Sequence, residues 1–117
     1  MSSTQYQNVV KQIAPRMKSL HGALPNVMNG FHEMGKAVMT DGALDAKTKE
    51  LIALAIGVAA RCEGCVGFHS QALARLGATH AEVEEMLGVA IYMGGGPSVM
   101  WATEAMTAFN EFAGQRN

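Results

Sequence analysis

Cys62-Glu63-Gly64-Cys65-Val66-Gly67-Phe68-His69 holds the only two cysteines of the chain, three positions apart, with a histidine four beyond the second. On an α-helix, spacings of three and four place side chains on one face. Cys62, Cys65 and His69 are therefore expected to form a stripe of sulfur, sulfur and imidazole. Two thiols so spaced can close a disulfide within one helical turn, and a histidine one turn further can take or give their proton. The rest of the chain is read as a wall and a floor around this stripe.

Working outward, helix signals recur and strand signals are missing: no segment alternates apolar and polar residues with β-branched enrichment. Upstream, Asp45 has the place of an N-cap for a helix from Ala46 to about Ala60, charged at its start and then apolar on every side, which predicts a central helix buried all round. Downstream, the stripe helix is expected to run from about Cys62 to Leu76, with Gly77 as its stop. Thr79-His80-Ala81-Glu82 has the form of a capping box opening a fifth helix to about Met93. Gly94-Gly95-Gly96 is a break, and Pro97 opens a sixth helix to about Phe112. Nearer the N-terminus, Tyr6 to Leu20 carries an amphipathic pattern (Tyr6, Val9, Val10, Ile13, Met17, Leu20), with a kink or split expected at Pro15. Pro25 starts a second helix to about Thr40, with Val27, Met28, Phe31, Met34, Val38 and Met39 on its apolar side. The expectation is an all-α, single-domain bundle of about six helices spanning residues 1–117, with a frayed tail from Gly114 to Asn117.

A chain of 117 residues that is 49% hydrophobic can bury a core of its own. A net charge of −1 and the lack of a basic run give no sign of nucleic acid or anionic membrane as partner. The polar N-terminus has no apolar signal segment, and the longest apolar run, Leu51 to Ala60, is about half of what spans a bilayer. A soluble cytoplasmic protein is expected, and in a reducing cytoplasm a close cysteine pair points to redox chemistry or metal rather than to a structural staple. Met93, Val99, Met100, Trp101, Met106, Phe109 and Phe112 are either ordinary core or a homo-oligomer interface on helix six and part of helix five.

A thiol attacks as thiolate, so the site must favour that form. A helix beginning near Cys62 directs its free N–H groups at the sulfurs, and His69 can act on Cys65 one turn away. Helix-terminal position favours Cys62 as attacker; adjacency to His69 favours Cys65, with Cys62 resolving. The third group of a relay is Glu50, provided helices three and four are antiparallel with a reversal near Arg61. Glu50 lies eleven residues before that point and Ala72 eleven after it, so His69 comes level with the carboxylate within a turn. Were the helix straight, Glu50 and Cys62 would stand about 18 Å apart. A break near Cys62 is therefore required, and only Gly57 and Gly64 hint at one. The competing readings are a buried pair of small thiols, a zinc site on Cys62, Cys65, His69 and Glu50, a satisfied core histidine, and a first-turn acid at Glu50. His21, His32 and His80 lack such a setting; His80 is expected to be solvated, and His32 is kept as a secondary candidate. The methionines fit an adaptable core or interface.

Lys47-Thr48-Lys49-Glu50-Leu51-Ile52-Ala53-Leu54-Ala55, then Arg61 to His69, Gly77-Ala78-Thr79 and Gly94-Gly95-Gly96-Pro97 together resemble the carboxymuconolactone decarboxylase-like superfamily, and within it the alkylhydroperoxidase AhpD-like branch. The resemblance covers about residues 24–112. It implies an all-α fold assembling as a homo-oligomer, a trimer or a hexamer. It also implies a redox-active pair, Cys62 and Cys65, that reduces a small hydroperoxide or a partner disulfide, with His69 and Glu50 as proton relay. No cofactor is implied beyond the pair itself and an external dithiol reductant. The chain departs from the AhpD-like pattern at Gly64, where the branch carries a second relay histidine. The rival functions are a decarboxylase-type lyase acting on a small lactone acid, which needs no CxxC, and a non-enzymatic redox-sensing or metal-binding oligomer.

Overall fold

In the computed structural model, which describes residues 3–116, six α-helices follow one another with short connections: α1 (Gln5–Ala23), α2 (Pro25–Val38), α3 (Ala46–Ala60), α4 (Glu63–Arg75), α5 (His80–Gly94) and α6 (Gly96–Ala113). Met1, Ser2 and Asn117, at the polar N-terminus and the expected frayed tail, lie outside the described residues. Local chemistry sets most helix ends. Asp45 caps α3 by accepting from the Thr48 N–H at 2.8 Å, and Thr79 and Glu82 form a complete capping box on α5. Gly77, with φ 77°, closes α4 in a Schellman motif: its N–H donates to the Ala74 carbonyl and that of Ala78 to the Leu73 carbonyl. The expected three-glycine break shrinks to Gly95 alone, with φ 73°. Gly94 stays helical and lies so close to α6 that a Cβ there would stand 2.8 Å from the Ser98 Cβ.

α4 is the central helix. It packs against α1, α3 and α6 and buries Val66, Gly67, Ser70, Ala72 and Leu73. The all-round burial expected of α3 is not found. Leu54, Gly57 and Val58 face the core, whereas Ile52 and Ile56 remain exposed, Ile56 at 61%. Apolar character showed that this face is built for cover, but the chain supplies cover on one side only. α2 carries the other half of the same mismatch. It has no buried residue, and among its apolar side chains Val27, Phe31, Met34 and Val38 are exposed.

α1 runs unbroken through Pro15. Pro15 and Lys11 are both exposed, so the Lys11 carbonyl that loses its helical donor faces water. The start of α1 is held from the far end of the chain. Glu111 of α6 accepts from the Tyr6 and Gln7 N–H groups at 2.8 and 2.9 Å, a carboxylate at a helix N-terminus that Thr4 leaves uncapped. Tyr6 is fully buried and donates its hydroxyl to Glu104 at 2.5 Å. Of the apolar residues on α6 and the end of α5, Phe109 is core, Trp101, Met106 and Phe112 pack against the core, and Val99 and Met100 at the start of α6 and Met93 at the end of α5 are exposed.

His80 is not solvated as expected. It is half-buried, with its Nε2 within 3.0 Å of Asn110 Oδ1 and 2.9 Å of the Gly114 carbonyl, and its ring meets Phe109 edge-on. Arg116 pairs with Glu84, so the tail is tied to α5.

Burial, followed by the hydrogen bond to Glu104, pushes the Tyr6 hydroxyl far above its ordinary value of 10.0. A folded-state value above the unfolded one means stability that is whole below pH 10 and is lost as pH rises further. Urea unfolding at pH 8 and pH 10.5 is expected to show that loss in the wild type. Tyr6→Phe should be less stable at pH 8 by about 1 kcal/mol for the hydrogen bond, and its further decline at pH 10.5 should be smaller.

Candidate functional site

The site begins with a backbone event. After Ala60 the chain enters the left-handed region at Arg61, φ 57° and ψ 47°. The Arg61 N–H donates to the Val58 carbonyl and the Cys62 N–H to the Gly57 carbonyl at 3.0 Å. This is a second Schellman motif, with arginine where glycine is usual. It reverses the chain, so that α3 and α4 lie antiparallel with Gly57 against Cys65 and Glu50 against His69. Gly57 and Gly64, the residues that hinted at a break, make none. Gly57 is buried inside α3, where a Cβ would come within 3.1 Å of the Cys65 Cβ. Gly64 lies in the first turn of α4 beneath Ile13 of α1, whose Cδ1 would be 2.8 Å from an added Cβ. The place of the second relay histidine is thus roofed by an aliphatic side chain.

Cys62 is not a helical member of the stripe. It is the N-cap of α4, in extended conformation, and its sulfur accepts from the Cys65 N–H at 3.2 Å. Cys62 and Cys65 are joined as a disulfide, with Cα atoms 5.2 Å apart, inside the ordinary range for a bridge. Both are half-buried. The sulfur of Cys62 lies at the positive end of the α4 dipole, where negative charge is favoured.

One turn past Cys65, His69 Nδ1 meets Glu50 Oε2 at 2.6 Å. A carboxylate accepts, so Nδ1 carries the proton and Nε2 is the free nitrogen. The Glu50 side chain is 13% exposed and that of His69 30%, so the carboxylate is shielded while the imidazole keeps an open side. The pair lines a groove of about 430 Å³ whose other wall is apolar, made by Phe31, Met34, Val38 and Met39. Neither sulfur lines this groove. The secondary candidate, His32, stacks at 6.1 Å on His21, which is held by Asn29 at 2.7 Å, in a separate apolar groove with Met17 and Phe68. Among the described residues no three His, Cys, Asp or Glu side chains gather as a metal ion would require.

Residues 25–108 match the sequence profile of the Carboxymuconolactone decarboxylase family. The chain belongs to this family. Its resemblance to solved structures runs the same way. A carboxymuconolactone decarboxylase family protein from Legionella pneumophila superposes with a TM-score of 0.92 at 50% identity, over 95% of this chain and 99% of that one. A Thermotoga maritima member of the family, whose description raises an involvement in antioxidative response, gives 0.74 at 26% identity, over 86% and 88%. In sequence the chain is 37% identical to an uncharacterized protein of Cupriavidus necator, over 92% of this chain and 96% of the relative. As a member of the carboxymuconolactone decarboxylase family the chain keeps the all-α fold expected of it. Among the described residues, no helix is long and apolar enough to cross a membrane.

Sequence reasoning placed the required reversal near Arg61 but missed the left-handed conformation that makes it, and it missed the packing role of Gly57. No residue type announces the first, because a left-handed turn is read from glycine or asparagine. The second had a signal, a glycine inside an apolar helix, that fits close approach as well as a break. Gly57→Ala is expected to press on Cys65. It should destabilise the protein by about 1–2 kcal/mol whether the pair is bridged or reduced, because the opposing Cys65 Cβ and the backbone behind it do not move when the side chain turns. Urea unfolding with and without dithiothreitol should give the same loss.

Proposed function

We propose that this protein is a thiol-dependent oxidoreductase that reduces hydroperoxides, or the disulfide of a partner protein, through Cys62 and Cys65, with Glu50 and His69 as its proton relay. The observation that carries the reading is the disulfide at the N-terminus of the very helix whose next turn presents the Glu50-bound imidazole. The antioxidative association of the Thermotoga relative supports it.

In the reduced protein His69 takes the proton of Cys65, one turn away, while Glu50 fixes the ring and balances the imidazolium. The Cys65 thiolate attacks the outer peroxide oxygen. An S–O bond forms as the O–O bond breaks, and the leaving alkoxide takes a proton from the relay, giving an alcohol and a sulfenic acid. Cys62, as thiolate at the helix N-terminus, then attacks the sulfenic sulfur, and hydroxide leaves as water with one further proton. The resulting disulfide is reopened by an external dithiol, which supplies two electrons by exchange through a mixed disulfide. Against a partner disulfide the same thiolate attacks sulfur instead of oxygen.

One observation favours a second reading. The Glu50–His69 pair lines an apolar groove that neither sulfur reaches, an arrangement also suited to acid–base chemistry on a small lactone acid. A lyase of that kind keeps its activity when both cysteines are serine.

The test is hydroperoxide consumption with a dithiol reductant, with free thiols counted before and after one equivalent of oxidant. Wild type is expected to lose two thiols per chain and to turn over. Cys62→Ser and Cys65→Ser should each abolish turnover, and His69→Asn and Glu50→Gln should slow it by roughly 10²–10⁴-fold. Turnover retained in both single serine variants overturns the mechanism. Decarboxylation retained in the double serine variant turns the assignment to the lyase.

The exposed apolar sides of α2 and α3, with Phe31 60% and Ile56 61% open, further support a homo-oligomer. Light scattering is expected to give three or six times the 12.4 kDa chain mass, and a mass of one chain refutes the assembly.

A further inference from the structure

Two helices of this protein end in the same hydrogen-bonded motif. The one after α4 uses Gly77; the one after α3 uses Arg61. Among the described residues Arg61 is the only non-glycine residue with positive φ. A side chain in this region costs free energy that glycine does not, so nothing in the turn itself calls for arginine. Its neighbourhood offers a reason. Arg61 directly precedes Cys62, whose N–H completes the same motif and whose sulfur caps α4. It is the only lysine or arginine between Lys49 and Arg75. It is exposed, beside a half-buried sulfur. Its nearest neighbour of opposite sign along the chain, Glu63, is exposed and adds negative potential against Tyr6.

We propose that Arg61 is a positioning residue for the redox pair, whose backbone turns Cys62 onto the α4 N-terminus and whose guanidinium holds a positive charge within a side chain's reach of the Cys62 sulfur. Strain kept at a functional turn is tolerated where the side chain returns something the site needs. Here the return is electrostatic. A neighbouring cation stabilises the thiolate over the disulfide, which makes the disulfide more readily reduced, and it attracts anionic reagents to the sulfur. The inference rests on the redox reading of Cys62 and Cys65 given above.

The variants separate the backbone from the charge. Arg61→Gly suits the left-handed turn and removes the cation; Arg61→Lys keeps the cation and the backbone cost. On a Cys65→Ser background, the Cys62 thiol is alkylated with anionic iodoacetate and with neutral iodoacetamide. Arg61→Gly is expected to lower the iodoacetate-to-iodoacetamide rate ratio by about two- to fivefold, the effect of one nearby exposed charge. Arg61→Lys should restore the ratio, and 0.5 M salt should shrink the difference. With both cysteines present, Arg61→Gly should shift the equilibrium with dithiothreitol toward the protein disulfide by a similar factor, with Tm at or above wild type. An unchanged ratio and equilibrium in Arg61→Gly overturn the proposal while leaving the redox reading intact. A wild-type pair that cannot be cycled between dithiol and disulfide overturns both. A fall in Tm in Arg61→Gly contradicts the backbone part.

Discussion

The reversal at Arg61 and Cys62 is the constraint on which the site depends. A single residue, Cys62, closes the C-terminal motif of α3 with its N–H and opens α4 with its sulfur. Because two helix ends are satisfied by adjacent residues, no loop intervenes, and the antiparallel register is fixed within about a turn. That register brings Glu50, near the start of α3, to His69, two turns into α4. A longer connection would leave the carboxylate free to meet another level of the helix. The acid–base pair is thus a consequence of how the chain turns at the thiol, and the two halves of the site cannot drift apart independently.

The outer elements serve that core in different ways. α6 reaches back to the start of α1 through Glu104 and Glu111, so the chain's two ends close on each other around α4. Glycines at 64 and 67 let Ile13 and Val10 of α1 approach α4 closely. Lys47 of α3 pairs with Glu82 of α5 at 2.8 Å; that hydrogen-bonded pairing raises the lysine's affinity for its proton and lowers that of the glutamate, which also completes the α5 capping box. These ties join α1 to α6 and α3 to α5 around the helix that carries the disulfide.

Helix number and most helix ends were legible because they are written in local chemistry: proline at 25 and 97, Asp45, Gly77, and the Thr79–Glu82 box. The meeting of Glu50 with His69 was legible conditionally, by counting residues from a reversal that had to exist. The place of that reversal, near Arg61, followed from the same count, but its cause did not, because an arginine in the left-handed region leaves no mark in composition. Nor was the one-sided burial of α3 legible. A uniformly apolar helix states how much cover it needs and not which chain provides it. His80 was misjudged because its partners, Asn110 and the Gly114 carbonyl, come from a helix end thirty residues away. Membership of the carboxymuconolactone decarboxylase family was read from four stretches together, Lys47 to Ala55, Arg61 to His69, Gly77 to Thr79 and Gly94 to Pro97, and no single residue of them carries it alone.

The groove at the acid–base pair has two walls of unequal firmness. One belongs to α3 and α4, which are locked by the turn and by core packing. The other belongs to α2, a helix of 14 residues without a buried side chain, whose backbone, among the described residues, lies close to that of α1 and of no other helix. A helix of that length is marginal by itself in water, so local opening of α2 needs far less free energy than opening of α3 or α4. In hydrogen exchange its amides are the ones that should exchange through sub-global excursions. Within one chain the α2 wall is therefore the looser of the two, and whatever covers its apolar side sets how firmly the groove is held, while the disulfide and the Glu50–His69 pair stay in register.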